Sequence, residues 1–545
     1  MTPSVRASLG ELSAGYFDLL VIGGGITGAG IAREAALRGL KTALVEARDF
    51  GEGTSSRSSR LIHGGLRYLE QGHFRLVFEA LRERKILLRL APHLVRPLPF
   101  LVPVFRGDRV PRWKITAGLV LYDLLAAGGN VRRHSTLGKR AVLEAEPLLR
   151  ERGLTGGGVY YDAQCDDARL TIATVRAAVM HGASAANYMR VTGLIRTVSG
   201  MTGAYLRDEL TGETGEVRAH QLVNAAGPWG DQVRQLEDPR AVPLLRPTKG
   251  VHVVVPRARI GNRQAIIFTS PVDGRVMFVL PWGEWSYIGT TDTDSTEAPD
   301  EVAAGEEDVI YLLRSANAIF PAARLAPEDV VATWAGLRPL LAADPTAPAS
   351  SVSREHRIVR GPSGVLSIMG GKLTTWRSMA AELVNEVEKV LGHEHHARGK
   401  ALSRTLPLPG GDAAVTDAFR AEGLDLGLSP PAVDHLLLRV GSEAPAIYAL
   451  CRERPVLAEP VHPFHKAIGA AVVHAVRREL AVRLDDVLSR RLHLTTETAD
   501  RGEAGIEPVA ALMAEELGWT TEFTANEIAH AREAMLAGSR WRGLS

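Results

Sequence analysis

One stretch constrains this chain more than any other: Asp18-Leu-Leu-Val-Ile22-Gly23-Gly24-Gly25-Ile-Thr-Gly28, answered by Glu46 at the end of Lys41-Thr-Ala-Leu-Val. Phe17 to Ile22 is an apolar run of the length of a buried parallel strand. Gly23 permits a tight turn, Gly25 lets backbone approach a pyrophosphate, and Gly28 lets the next helix pack close to the strand. That helix, roughly Thr27 to Arg38, points its N-terminal N–H groups and positive dipole end at phosphates and stops at Gly39. A second strand, Thr42 to Val45, delivers Glu46 eighteen residues after Gly28. A carboxylate there accepts hydrogen bonds from ribose hydroxyls and repels a 2′-phosphate, which argues against NADP. The pattern grips the ADP half of a dinucleotide, so redox chemistry is implied before any substrate is considered.

Size and composition narrow the rest. At 545 residues the chain exceeds one ordinary core, so two or three domains are expected. A net charge of +2 implies no nucleic-acid partner. Two cysteines, Cys165 and Cys451, cannot build a disulfide framework or a cysteine metal site, and a reducing compartment is expected. The first fifteen residues lack the apolar core of a signal peptide, and no run approaches the length of a transmembrane helix.

Along the chain, Phe74 to Leu90 reads as a helix carrying Arg75, Arg82, Arg84, Lys85 and Arg89, with Phe74, Val77, Phe78, Leu81 and Leu88 on its apolar face. A solvated basic face is the plain reading; contact with anionic lipid heads is the sharper one. Pro97 to Pro111 is proline-punctuated, and an apolar helix follows near Ile115 to Ala127. Val191 to Asp208 and Glu216 to Asn224 read as strands around a turn at Thr211-Gly212. Asn224-Ala-Ala-Gly227-Pro-Trp229 is a strand end running into a small-residue turn. Met369-Gly370-Gly371-Lys372-Leu-Thr374-Thr375 leads into a helix from about Trp376 to Leu391. Such a turn before a helix start is a second anion- or dipole-binding arrangement. Residues 392–412 read as a linker whose His393, His395 and His396 lack acidic or cysteine partners nearby, so no metal is expected. Residues 413–545 are helix-patterned, with no evident chemistry.

The densest polar segment is Thr54-Ser55-Ser56-Arg57-Ser-Ser59-Arg60-Leu-Ile-His63-Gly-Gly-Leu-Arg67-Tyr68, directly after the ribose-binding acid. Its hydroxyls and N–H groups suit a phosphate or ribose, and Arg67 and Tyr68 could hold an anion by fork and hydroxyl. This run resembles the FAD-dependent glycerol-3-phosphate dehydrogenases of the aerobic, respiratory type. Further similar segments follow in order: Asp166-Asp-Ala-Arg-Leu170, Val223 to Trp229, Lys249-Gly-Val-His252, Ile288 to Asp292, Gly336-Leu-Arg338, and Gly370 to Thr375. The resemblance spans nearly the whole chain.

The resemblance implies a glutathione-reductase-type FAD-binding Rossmann domain, an inserted α+β substrate domain and a C-terminal all-α domain. It assigns 1–75, 165–240 and 350–391 to the FAD unit, 76–164 and 241–349 to the insertions, and 413–545 to the helical domain. It implies oxidation of sn-glycerol 3-phosphate to dihydroxyacetone phosphate, with electrons passed to membrane quinone in glycerol catabolism. A cytoplasmic protein held peripherally on the membrane is expected, and a homodimer is allowed for. FAD would be held by Gly23, Gly25, Gly28, Glu46, Ser55, Ser56, Gly227, Gly371, Lys372 and Thr374. By resemblance, Arg67, Tyr68, Arg338 and Arg354 line the substrate pocket, with Arg354 the phosphate fork and Arg338 beside the reacting hydroxyl. For the base, His63 comes first and His252 second, since each can titrate near neutrality; the sequence does not decide between them. An oxidase passing electrons to oxygen is the alternative acceptor chemistry.

Overall fold

A computed structural model describes residues 6–70, 72–197, 200–341, 355–392 and 402–543, with the side chain of Arg67 outside that description. The described residues build two sheets and a helical C-terminal region.

The first sheet grows from the opening motif. Strand Tyr16–Ile22 lies between Thr42–Val45 and Thr214–Asn224, parallel to both. Strands Ser184–Ala186 and Leu366–Gly370 extend the parallel sheet on its two sides, and His356–Arg360 closes one edge antiparallel. The central strand is buried on both faces. Leu19 and Val21 pack under the helices Ile26–Leu37, Asp167–Met180 and Trp376–Leu391. Phe17, Leu20 and Ile22 face Met189, Met201, Ala204 and Leu206 of a β-hairpin on the other side. Helix Ile26–Leu37 approaches its neighbour closely because it is alanine-rich and because Gly30 has no Cβ; a methyl there would lie 2.6 Å from the Trp376 ring.

Three local expectations need correction. The single strand read over 191–208 is two, Met189–Thr197 and Gly200–Asp208, paired antiparallel. Gly200, at φ 124°, sits at the reversal, which alternation alone does not reveal. The proline-punctuated stretch is largely a strand, Val95–Phe105, paired with Leu154–Cys165. Pro97, Pro99 and Pro103 occupy positions of one parity, so their missing N–H groups fall on one side of the strand. Finally, Arg84 does not belong to the solvated face of its helix. It is buried against Asp162, whereas Phe74 and Phe78 are exposed.

The second sheet runs Thr293–Asp294, Leu245–Pro256, Trp285–Gly289, Val276–Trp282, Ala265–Thr269, Val95–Phe105, Leu154–Cys165 and Leu61–Ile62, with Ala332–Leu341 paired to Leu245–Pro256. The C-terminal helices between Asp417 and Ala537 form two apolar clusters of their own. Buried ion pairs bind them to the loop after strand Thr42–Val45 and to the start of helix Asp167–Met180. Asp49 takes Arg490 at 2.5 Å and also Arg491, Arg169 takes Glu479 at 2.5 Å, and His493 meets Asp166 at 2.7 Å. The expected class, a Rossmann FAD-binding fold with an inserted α+β region and a helical C-terminus, is therefore present.

Candidate active site

The crevice forms where the central strand ends and its neighbours connect in opposite directions, the switch point of an open α/β sheet. Gly23 turns there at φ 107°, and a Cβ on it would lie 2.7 Å from the Ala225 carbonyl oxygen. Gly28 sits under that turn; its Cβ would come 1.8 Å from the Gly23 carbonyl oxygen. Gly25 faces open space, with only Ser55 Oγ within 4 Å of where a Cβ would stand. The Ser55 hydroxyl oxygen accepts the helix-start N–H of Ile26 at 2.9 Å. Glu46 folds back on the loop, accepting from Gly24 N at 2.6 Å and from Arg48 N at 2.9 Å. Burial pushes its carboxyl above the usual carboxylate range, against those two N–H bonds.

From this turn a cavity of about 450 Å³ runs to the second glycine turn. It is lined by Gly23, Gly25, Glu46, Ser55, His63, Tyr68, Gly227, His252, Arg338, Gly371, Lys372 and Thr374. At the far end Gly371 adopts φ 111°, where a Cβ would lie 2.2 Å from Met379 Cε. Lys372 Nζ lies 3.8 Å from the centre of the Tyr68 ring. Thr374 Oγ1 accepts from His63 N at 3.1 Å and donates to His63 O at 3.2 Å, pinning the histidine's backbone from across the chain.

A second, more apolar cavity of about 720 Å³ adjoins the first, between helix Arg112–Leu125 and strands of the second sheet. Five residues line both: Ser59, Leu61, His63, Tyr68 and Arg338. Arg338 is aimed into this seam by Asp292 Oδ1 at 3.0 Å, Thr290 Oγ1 at 3.0 Å and Thr291 O at 3.1 Å. Its guanidinium lies flat on Gly250, where a Cβ would stand 2.4 Å from it. His252 is buried beside it, stacked on Trp334 at 4.9 Å and 17°. Burial first, then the Arg338 and Arg60 cations, hold its imidazole well below the ordinary histidine range.

Most of the residues singled out from sequence thus meet in one place. Gly28 and Ser56 do not line the cavity: the first supports the turn from below, the second belongs to the short turn Thr54–Ser56. The Arg67 side chain, Arg354, His393, His395 and His396 lie outside the described residues. Sequence reasoning did not single out Ser59, Asp292, Trp334 or Arg60. Ser59 and Arg60 stand inside the polar segment and Asp292 ends a quoted motif, but only the fold shows which of their neighbours they serve. Among the described residues, His435, His465 and Glu497 place ligand-type atoms within 4.8 Å of one another. Arg439 donates to both Glu497 oxygens there and Trp282 Nε1 to one, so the carboxylate is already engaged by a cation.

A nucleotide-type crevice, a second glycine turn with a lysine, and a cationic seam between them define a flavin-dependent oxidoreductase. The cradle fits FAD in kind: Gly25 leaves open space beside the helix start, where a phosphate could be received, and Gly371 and Lys372 line the same cavity at its far end. The family described as FAD dependent oxidoreductase matches residues 18–377, and the C-terminal domain of alpha-glycerophosphate oxidase matches residues 401–523. The chain is 40% identical over 537 residues to a glycerol-3-phosphate dehydrogenase of Mycobacterium leprae, covering 97% of this chain and 89% of that one. It is 37% identical to the aerobic glycerol-3-phosphate dehydrogenase of Staphylococcus haemolyticus, covering 93% of each. Among solved structures, the glycerol-3-phosphate dehydrogenase of Bacillus halodurans, complexed with FAD, superposes with a TM-score of 0.81 at 33% identity, over 97% of this chain and 96% of that one. The chain belongs to the FAD-dependent glycerol-3-phosphate dehydrogenase family.

Proposed function

We propose that this protein oxidises sn-glycerol 3-phosphate to dihydroxyacetone phosphate and passes the electrons to a membrane quinone, in glycerol catabolism. FAD, when bound, accepts the hydride. The observation that carries the reading is the seam: Arg338, Tyr68, His63 and Ser59 converge where the cofactor cavity meets a second one. Arg338 polarises the developing carbonyl; Arg67 and Arg354 fork the phosphate. His63 and His252 are the two candidates for the base. Lys372 places positive charge at the flavin end of the cradle, and Glu46 takes the ribose.

Quinone as acceptor is supported by the apolar walls of the second cavity, which include Val102, Phe105, Ile115, Leu121, Ile267 and Phe278. A membrane-surface location is supported by one exposed face carrying Arg75, Phe78, Arg82, Lys85 and Arg89, and by the nearby exposed Trp113 and Leu124. Among the described residues no helix is long and apolar enough to cross a membrane. The test is the anaerobic absorbance spectrum of the purified yellow protein before and after glycerol 3-phosphate. Bleaching restored by a quinone analogue supports the reading. If air is then admitted, stoichiometric peroxide without quinone would replace the acceptor with oxygen; no bleaching would remove the substrate.

A further inference from the structure

The seam holds one contact that the reading above does not use, between Ser59 and the second candidate base, His252. Ser59 Oγ lies 2.9 Å from His252 Nε2. Ser59 borders both cavities, whereas His252 borders only the first and is 2% exposed. An imidazole nitrogen has a single in-plane direction for a hydrogen bond, and at Nε2 the Ser59 hydroxyl occupies it. The ring cannot swing to reach anything else. Trp334 stacks on one face, and the Gly289 backbone is so close that a Cβ there would lie 2.1 Å from His252 Cδ2.

Ser59 is held as firmly. The Tyr287 hydroxyl donates to Ser59 O at 3.2 Å, and Trp334 Nε1 donates to Ser58 O at 3.2 Å. Ser58 donates from both Oγ and N to buried Asp167, at 2.7 and 3.1 Å. Arg60 follows with φ 52°, its guanidinium between Trp282 at 4.6 Å and Trp334 at 4.9 Å. The same indole, Trp334, therefore positions the histidine by stacking and holds the Ser58 carbonyl, in the peptide that leads into Ser59, by hydrogen bonding.

We propose that Ser59 and His252 form a proton relay for the oxidation, with Ser59 the group that touches the substrate hydroxyl and Trp334 the positioning residue. The relay rests on the substrate reading given above. As the C2 hydride and its two electrons leave for FAD, the C2 hydroxyl proton passes to Ser59 Oγ. Ser59's own proton moves to His252 Nε2. The C–H and O–H bonds break, a carbonyl forms, and Ser59 ends unchanged. The proton returns to water by the reverse path after product leaves. The groups facing His252 suit this. Burial first, then Arg338 and Arg60, keep it uncharged at rest, Tyr287 lies edge-on at 6.2 Å, and the phosphate dianion arriving with substrate offsets the two cations so that the ring can accept.

The experiment uses the FAD-loaded protein in stopped flow, following flavin bleaching by glycerol 3-phosphate. Ser59→Ala and His252→Gln should each slow bleaching by about 10²–10⁴-fold, and the double variant should be no slower than the worse single one. The parent's rate plotted against deuterium fraction should bow, as two protons move together; Ser59→Ala should give a straight line. Spectra of ¹⁵N-histidine-labelled enzyme should show the His252 Nε2 signal displaced in Ser59→Ala while the flavin absorbance is unchanged. Losses that multiply in the double variant, a straight parent plot, or bleaching within threefold of the parent in Ser59→Ala would each overturn the relay. Should His252→Gln fail to hold FAD, the deuterium plot and the Ser59→Ala rate decide alone. A parent that is not bleached removes the substrate reading and the relay together.

Discussion

Replacing Gly25 and Gly28 separately should divide cofactor binding from folding. In Gly25→Ala the new Cβ stands 3.1 Å from Ser55 Oγ, with nothing else within 4 Å, and the backbone at φ −71°, ψ 178° suits alanine. The apoprotein should change by less than about 1 kcal/mol, since any strain against one hydroxyl is offset by reduced freedom of the unfolded chain. The methyl instead occupies the space a pyrophosphate needs beside the helix start. Loss of one hydrogen bond to a charged group is worth about 1.5–3 kcal/mol. At 1.4 kcal/mol per decade, FAD affinity should fall by about 10- to 100-fold. Gly28→Ala is different, because its Cβ would lie 1.8 Å from the Gly23 carbonyl oxygen and 3.0 Å from the carbonyl carbon. Backbone cannot give way cheaply, so helix and turn must part, at about 1–3 kcal/mol or more, and stability and affinity should fall together. Gly118→Ala, with nothing within 4 Å, serves as the control. FAD titration by fluorescence quenching and thermal melting of the apoproteins read both quantities. If Gly25→Ala binds FAD within threefold of the parent, the assignment of this loop to the pyrophosphate is wrong.

Three further outcomes follow from the same geometry. Arg338→Ala should keep its yellow flavin yet lose turnover by about 10²–10³-fold, as for removal of one preorganised donor; undiminished turnover would refute its role. Asp49→Ala leaves Arg491 buried without its carboxylate and Arg490 with only Asp485 and Asp486, so the denaturation midpoint should drop by an amount equivalent to about 3–5 kcal/mol, and an unchanged midpoint would show the Asp49 pairs contribute nothing. Burial first, helped by Arg169 at His93 and by Arg176 against the opposing Glu479 at His474, pushes both down to about 4. The unfolded chain then binds more protons, so each withdraws stability as pH falls from about 6.5 toward 4. Glu146, raised by burial to about 7, works oppositely, its contribution being lost as pH rises from 4.5 through 7. Stability should therefore fall on acidification from pH 7 to 5, less steeply in His474→Gln and more steeply in Glu146→Gln, as melts at the two pH values would show.

Legibility followed the range of the interactions. The strand, the glycine turn, the helix and Glu46 are set by neighbours within thirty residues, and periodicity and glycine placement display them directly. Local pattern misled where partners are distant. Arg84 looked like one more surface cation, but Asp162, from another element, draws it into the core. The prolines of residues 97–111 gave no strand signal, yet Pro97, Pro99 and Pro103 all fall on one side of a strand. The resemblance named His252 and Arg338, and nothing in the sequence told that Gly250 and Gly289 are small so that these two side chains can lie flat against backbone.

By itself the sequence determined the glycine turn at the start of the first helix, because a tight turn and an unobstructed backbone depend on glycine and their spacing is local. It also determined the family, through motifs spread along the chain. Only the tertiary structure decided how the reactive end is assembled. Register between Leu245–Pro256 and Ala332–Leu341 sets Thr248 against Arg338 and His252 against Trp334, and a turn near residue 59 delivers Ser59 to His252 from 193 positions away. A proton relay needs distances near 3 Å and fixed angles. Those come from packing between segments that no local pattern in the sequence brings together.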